Sequence, residues 1–392
     1  MALIVKKFGG TSLATPSHIM HLAGTVRDEI DRGNKIVIIV SAMNKTTDEL
    51  TAMASQICDS PNKREMDMLL TTGERISMAL FSMALNSYNI KSYSYTGSQV
   101  GIITTGDHTD AKIIEIRGNR LKEALENNIT PIIAGFQGVS ASREITTLGR
   151  GGSDTTATAI ASYLSAERCE IYTDVDGVYA VDPYIVYNAR HVKEIAYEEM
   201  LIMASTGSRI LHPRSVEIAM KNNLKLCVKS SFNEGAGTMI TDKNAIEGMD
   251  VRGISHRENL TALNIKTKES TMDIIKMLSD NDLGFEMFAS KNLDTVSLIT
   301  DSNSVSDILG RIEEKSESIS INNDLSIITI IGSGLYHNKD VLKKILSVTD
   351  KYKNDIFTII KDELKFSIVT KKPYLGKLLG ELSKELGLTD SQ

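Results

Sequence analysis

Two uninterrupted apolar runs, KIVIIVS at residues 35–41 and PIIAGF at 131–136, constrain the fold more tightly than anything else in the chain. A strand that alternates apolar and polar residues buries one face. A strand that is apolar throughout must be covered on both, as in a parallel sheet held between helices. The segments between supply those helices. After a short apolar run at 3–8, Pro16 suits a first helical turn, and Ile19, Leu22, Ala23, Val26 and Ile30 recur at three- and four-residue steps up to Gly33. Thr46 and Glu49 have capping-box spacing ahead of Leu50, Met53, Ala54 and Ile57. Helical stretches at 76–85, 120–127, 153–166 and 213–222 alternate with strand-like ones at 91–96, 169–173 and 224–230. Residues 1–235 are therefore expected to form an α/β domain, a mostly parallel sheet between helices, with ligands at the carboxyl ends of its strands.

The pattern changes near Asn233-Glu234-Gly235-Ala236-Gly237. From about Met249 two smaller units follow, 249–322 and 323–392, each reading strand–helix–strand–strand–helix. One closing strand would make each ferredoxin-like. A length of 392 residues accommodates such a division. The net charge of −6, the absence of Trp and an aromatic content of 5% argue against a nucleic-acid surface. There is no apolar stretch of 18 residues and no apolar leader with a cleavage site, so neither a membrane span nor export is expected. Cys58, Cys169 and Cys227 are too far apart for a zinc site and fit reduced thiols of a cytoplasmic protein, with Cys169 and Cys227 in strand-like runs. The seven histidines show no ligand spacing, and no metal site is expected from them.

Chemistry concentrates at strand ends. Lys7-Phe8-Gly9-Gly10-Thr11-Ser12 joins a strand to a helix, and paired glycines let backbone N–H groups approach a phosphate. A tight turn with a surface lysine is the competing reading. Gly149-Arg150-Gly151-Gly152-Ser153-Asp154 leads into another helix. Ser153 and Asp154 alone read as caps, but capping does not explain an arginine set among three glycines, and arginine is suited to a bidentate grip on a carboxylate. Thr173-Asp174-Val175-Asp176-Gly177-Val178-Tyr179 ends a buried strand. Its acids suit ribose or magnesium, or simply a solvated Asp-Gly turn. Glu74 suits an ammonium group or, more simply, a first helical turn. His212, beside Pro213, reads as a structural partner rather than a catalyst.

Taken with Ser41-Ala42-Met43, Gly73-Glu74-Arg75 and Gly135-Phe136-Gln137-Gly138, and with the arginine segment extended to Thr147–Thr155, these segments follow the order found in aspartokinases, and the chain resembles that family of the amino-acid kinase superfamily over essentially its whole length. The C-terminal pair resembles the family's two ACT domains. The resemblance implies transfer of phosphate from ATP, with Mg2+, to the side-chain carboxylate of L-aspartate, the first step toward lysine, threonine and methionine. It also implies roles. Lys7 neutralises charge on the transferred group, Gly9 and Gly10 support the phosphates, and Asp154 orients Lys7 or the metal-bound phosphates. Arg150 holds a substrate carboxylate and Glu74 the α-ammonium, while Ser41, Thr47 and Ser153 line the substrate pocket. Thr173, Asp174, Tyr179 and Arg209 contact the nucleotide.

The chain departs from the family where Arg209 replaces the usual Lys before Leu-His-Pro, and where Tyr184 follows Asp182-Pro183 in place of a basic residue. The Pro-Gly that usually opens the first ACT helix is replaced by Lys268-Glu269-Ser270 and His337-Asn338-Lys339, and the effector-loop segments read Phe288-Ala289-Ser290-Lys291-Asn292 and Ile360 to Leu364. The ACT pair implies a homodimer or dimer of dimers and inhibition by lysine, with or without threonine. Glu286, Asp294, Asp362 and Glu363 favour lysine, whose extra ammonium they can neutralise. Two alternatives stay open: a superfamily kinase acting on another substrate such as glutamate or UMP, and a non-catalytic amino-acid-binding regulator.

Overall fold

The computed structural model describes the chain except residues 243–250, 269, 280–284, 290–293, 334, 336–337 and 391–392. Expectations placed on Met249, Glu269, Gly284, Ser290, Lys291, Asn292 and His337, and on the side chain of Glu286, lie outside the described residues. Two compact units are formed. One comprises Met1–Val178, His191–Ser205 and Arg209–Ile246, the other Tyr179–Arg190, Thr206–Ser208 and Glu247–Gln392.

The first unit is built on an eight-stranded sheet. At its middle β1 (Leu3–Phe8) pairs in parallel with β2 (Lys35–Val40) on one side and with Arg168–Thr173 on the other. Beyond β2 lie Thr130–Ala134 and Ser92–Tyr95; beyond Arg168–Thr173 lie Leu226–Ser230, Thr238–Thr241 and Glu194–Ala196. All these pairs are parallel except Leu226–Ser230 with Thr238–Thr241. The chain leaves β1 toward β2 and later returns on its other side. The carboxyl end of β1 is therefore a topological switch point, the place where such sheets bind ligands.

The apolar runs behave as expected. Ile36 to Val40 are each at most 2% exposed. α1 (Pro16–Asp31) is capped by Thr15, which accepts from the His18 N–H at 3.2 Å, and packs Ile19, Leu22, Ala23 and Val26 against Phe8, Phe81 and Leu85. α2 (Thr46–Ile57) differs. Thr46 is its first helical residue rather than its cap, the Thr46 hydroxyl donates to the Met43 carbonyl at 2.6 Å, and no residue of α2 is buried. The spacing of Met53 and Ile57 thus marks an exposed stripe, not a core face. α3 (Lys63–Ser87) is far longer than the expected 76–85, because its N-terminal half buries polar residues, Asp67, Thr71 and Glu74, which hide the helical period. A small mixed sheet of Ile113–Ile116, Ile102–Thr104, Gln137–Ser140 and Ile145–Thr147, in that order, has strands too short to have shown a pattern.

The second unit contains a six-stranded antiparallel sheet ordered Phe285–Ala289, Thr295–Asp301, Gly253–Thr267, Ser316–Ile331, Lys365–Lys371, Ile356–Lys361. Its two central strands each serve two ferredoxin-like repeats. Leu260 to Lys266 pairs with Thr295–Asp301 and with the first part of Ser316–Ile331, which supplies the closing strand of the first repeat. Residues 325–331 open the second repeat, whose closing strand is residues 253–257, ahead of both repeats in the chain. The expected limit between 322 and 323 falls inside one strand for this reason. Leu263, Ile265, Ile274, Leu278, Leu298, Ile308 and Ile312 fill the core of the first repeat. Among the described residues no helix is long and apolar enough to cross a membrane.

Candidate active site

Side chains alternate along β1, so Lys6 and Lys7 leave the sheet on opposite faces. Lys6 enters a closed charge network with Glu170, at 2.9 Å. Lys7 reaches a cavity of about 500 Å³ at the carboxyl ends of β1 and β2. There its Nζ lies 2.7 Å from Asp154 Oδ1, both side chains being nearly buried.

Asp154 sits in the first turn of helix Gly152–Tyr163. The cap of that helix is Gly151, with φ +64°, and a Cβ there would lie 2.3 Å from the Cβ of His212. Ser153 and Asp154 are thus inside the helix and do not cap it. Both line the cavity, where the helix N-terminus presents its free N–H groups to an anion.

Glu74 comes from the buried polar face of α3 and is 3% exposed. Its Oε1 accepts from the Ala42 N–H at 3.2 Å, while Oε2 has no hydrogen-bond partner. Burial, opposed by the backbone hydrogen bonds, pushes the carboxyl from an ordinary 4.5 up to about 7. When ionised, this oxygen is an acceptor held without a donor, which favours a cation beside it. Ser41 and Thr47, at the β2–α2 connection, and Arg150, exposed between Gly149 and Gly151, line the same cavity, as does Gly10.

The remaining expected residues are placed elsewhere. The Gly9 N–H donates to the Tyr172 carbonyl at 3.0 Å, and a Cβ on Gly9 would lie 3.3 Å from that oxygen. The Thr173 hydroxyl donates to the Asp174 carboxylate at 3.0 Å, and neither residue lines the cavity. Arg209 is exposed, and Tyr179 belongs to the second unit. His212 Nδ1 accepts from the Arg214 N–H at 3.3 Å and caps helix Pro213–Lys221, and burial lowers its basicity, consistent with a structural part.

The cavity also has walls that sequence reasoning missed. Asn44, Thr109 and Phe136 line it with φ of +46°, +71° and +69°. Left-handed backbone is rare for a β-branched residue such as Thr109 and clusters where function over-determines the chain. Thr147 lines it too, and Asp67 lies behind it. Phe136 and Thr147 stood in the segments that carried the resemblance; nothing marked Thr109 or Asp67.

A glycine turn at the switch point, a buried Lys–Asp pair at a helix N-terminus and an unpaired carboxylate thus share one cavity. The amino acid kinase family model matches residues 2–230, and the chain belongs to that family. Within it, the chain is an aspartokinase by family. It is 39% identical over 402 residues to the aspartokinase of Geobacillus stearothermophilus, covering 100% of this chain and 98% of that protein. In fold it is similar to E. coli aspartokinase III in complex with aspartate and ADP, with TM-score 0.86, 22% identity, and 98% and 100% of the two chains covered. The same E. coli enzyme in complex with lysine and aspartate gives TM-score 0.76 at 22% identity, covering 98% and 99%.

Proposed function

We propose that this chain transfers the γ-phosphoryl group of ATP to the side-chain carboxylate of L-aspartate, giving 4-phospho-L-aspartate and ADP. One carboxylate oxygen attacks the γ-phosphorus as the bond to the β,γ-bridging oxygen breaks, and ADP leaves with that electron pair. The acceptor is already ionised at neutral pH, so no general base is required, and catalysis rests on alignment and charge stabilisation. The observation that carries this reading is the unpaired, buried Oε2 of Glu74 in the cavity that also holds Arg150 and the Lys7–Asp154 pair. Glu74 then takes the α-ammonium and Arg150 a carboxylate, with Ser41, Thr47 and Ser153 around the substrate. Lys7 stabilises the charge of the transferred group, Asp154 holds Lys7, and Gly10 admits the phosphates. Thr173, Asp174, Tyr179 and Arg209 are proposed for the nucleotide, with Gly9 supporting the turn. Mg2+ arrives as the Mg–ATP substrate, since that ion is usually held largely by phosphates and water, and Asp154 is the nearest acidic oxygen beside Lys7. ADP formation measured with aspartate, glutamate and UMP as acceptors tests the assignment, and turnover confined to aspartate is expected.

For regulation we infer a C-terminal pair of ACT repeats, with residues 253–257 closing the second, assembling the chain as a homodimer or dimer of dimers and binding lysine, with or without threonine. Support comes from the exposed edge strand Ile356–Lys361, whose Phe357 and Ile359 are 39% and 41% exposed, and from the exposed acids Asp294, Asp362 and Glu363. The buried free thiols Cys169 and Cys227 fit a cytoplasmic setting. Rates against lysine and threonine, beside light scattering, test these points.

A further inference from the structure

Asp67 lies on the same face of α3 as Glu74, seven residues earlier, and is fully buried. Its carboxylate collects donors from two other segments. The Thr147 hydroxyl donates to Oδ1 at 2.6 Å. The Thr109 N–H donates to Oδ1 at 3.1 Å and to Oδ2 at 3.3 Å. His108 Nδ1 lies 2.6 Å from Oδ2. A second bond joins the same segments, from the Ala111 N–H to the Thr147 carbonyl at 2.9 Å.

These contacts converge on the cavity. Thr109 and Thr147 both line it, and Thr109 is held in left-handed backbone. Residues 109 and 110 abut the arginine loop: a Cβ on Gly149 would lie 2.9 Å from Asp110 Oδ1 and 3.1 Å from the Thr109 carbonyl. Whatever fixes Thr109 therefore fixes the surface against which Gly149, the residue before Arg150, is packed. A buried carboxylate is an expensive way to hold a loop, and it is kept where geometry matters.

We propose that Asp67 is a positioning residue of the substrate pocket, tying α3, the 108–109 segment and strand Ile145–Thr147 together so that Arg150 meets the acceptor substrate in register. The proposal rests on the assignment of Arg150 and Glu74 to aspartate. It concerns binding of the acceptor rather than stability alone.

The test uses the full chain with aspartate and ATP varied separately, beside thermal unfolding. In Asp67→Ala the aspartate KM rises about 10–100-fold, the range for charged buried hydrogen bonds, and the ATP KM changes far less. Asp67→Asn restores most of the loss, because its oxygen still accepts from Thr147 and Thr109 and its amide keeps a polar group facing His108 Nδ1. Thr147→Val keeps the side-chain shape and removes one tie, so it raises the aspartate KM, with some fall in Tm from the lost bond to Asp67. It decides the matter where Asp67→Ala does not fold. The proposal is overturned if the folded variants lose stability with the aspartate KM unchanged, or if both KM values rise together. Glu74→Gln and Arg150→Lys separate the two levels. If these leave the aspartate KM unaltered, the pocket assignment fails. If they raise it and the Asp67 and Thr147 variants do not, only the role of Asp67 fails.

Discussion

Replacing Glu74 by Gln should weaken substrate binding and strengthen the fold at the same time. The carboxyl is 3% exposed, accepts one backbone N–H at 3.2 Å and leaves Oε2 unpartnered. Burial raises it from 4.5 to about 7. At about 1.36 kcal/mol per tenfold, that difference amounts to roughly 3 kcal/mol by which the ionised, ligand-free carboxylate destabilises the fold. The unfolded chain releases this proton near pH 4.5 and the folded chain only near 7, so wild-type stability falls as pH rises through that window. Above pH 7, Glu74→Gln should be the more stable protein, and the gap should close between pH 7 and 4.5. Binding runs the other way. The α-ammonium needs the ionised carboxylate, so the wild-type aspartate KM should rise about tenfold between pH 8 and pH 6. The variant should show a raised KM, by about 10–100-fold, that is flat over the same range. Paired denaturant titrations at pH 8 and 5, with initial rates at fixed ATP, measure both effects. A wild-type aspartate KM that is level from pH 8 to 6, or a variant less stable than wild type at pH 8, would refute the assignment of Glu74 as the ammonium's partner.

Lys7→Ala should lower turnover by about 10²–10³ with an unchanged circular dichroism spectrum, as expected for one preorganised charge; retained activity would exclude it from the site. Arg150→Lys keeps the charge and loses the planar fork, so the aspartate KM should rise far more than that for ATP in steady-state titrations. Glu170→Gln leaves Lys6, Lys229 and Arg168 without their common anion, and denaturant unfolding should show a loss of about 3–5 kcal/mol. Burial alone would raise the Glu170 carboxyl, but Lys6, Lys229 and Arg168 pull it down to about 2, so its stabilising share persists above pH 4.5 and disappears only as pH falls toward 2.

What the sequence disclosed was whatever repeats with a physical period. The apolar runs at 35–41 and 131–136 and the stripe of α1 each meet a single demand, burial, and each appeared where it was expected. α2 shows the converse: the helical spacing of Met53 and Ile57 is present, but nothing packs on it. Short strands such as Ile145–Thr147 hold too few residues to display alternation. Half of α3 was hidden because it buries Asp67, Thr71 and Glu74, polar residues that break the apolar period of a core-facing helix. Local motifs pointed to Lys7, Glu74, Arg150 and Asp154, which line one cavity, because glycines and strand ends frame them. Asp67 and Thr109 meet across 42 residues, and no local pattern records such a distance. The closing of the second repeat by residues 253–257 is of the same kind, a pairing across 70 residues or more.

Neighbouring lysines 6 and 7 show why position on a face outweighs residue type. Both are nearly buried, at 2% and 9% exposure, and both lie 3 Å or less from a carboxylate. On the Lys6 face the register sets Lys6 beside Glu170, and Lys229 beside Tyr172. Glu170 receives Lys6, Lys229, Arg168 and the Tyr172 hydroxyl, so its oxygens are saturated. On the other face Lys7 shares Asp154 with a helix N-terminus, at the edge of a cavity. Among the described residues Asp154 is its one ion-pair partner, so in the proposed reaction a phosphate can compete for it. A lysine whose counter-charge is crowded holds the sheet together; the one whose counter-charge is less crowded, at a strand end and beside open volume, is the one we propose for chemistry. Strand alternation, which separates the two faces, lets a single pair of residues do both.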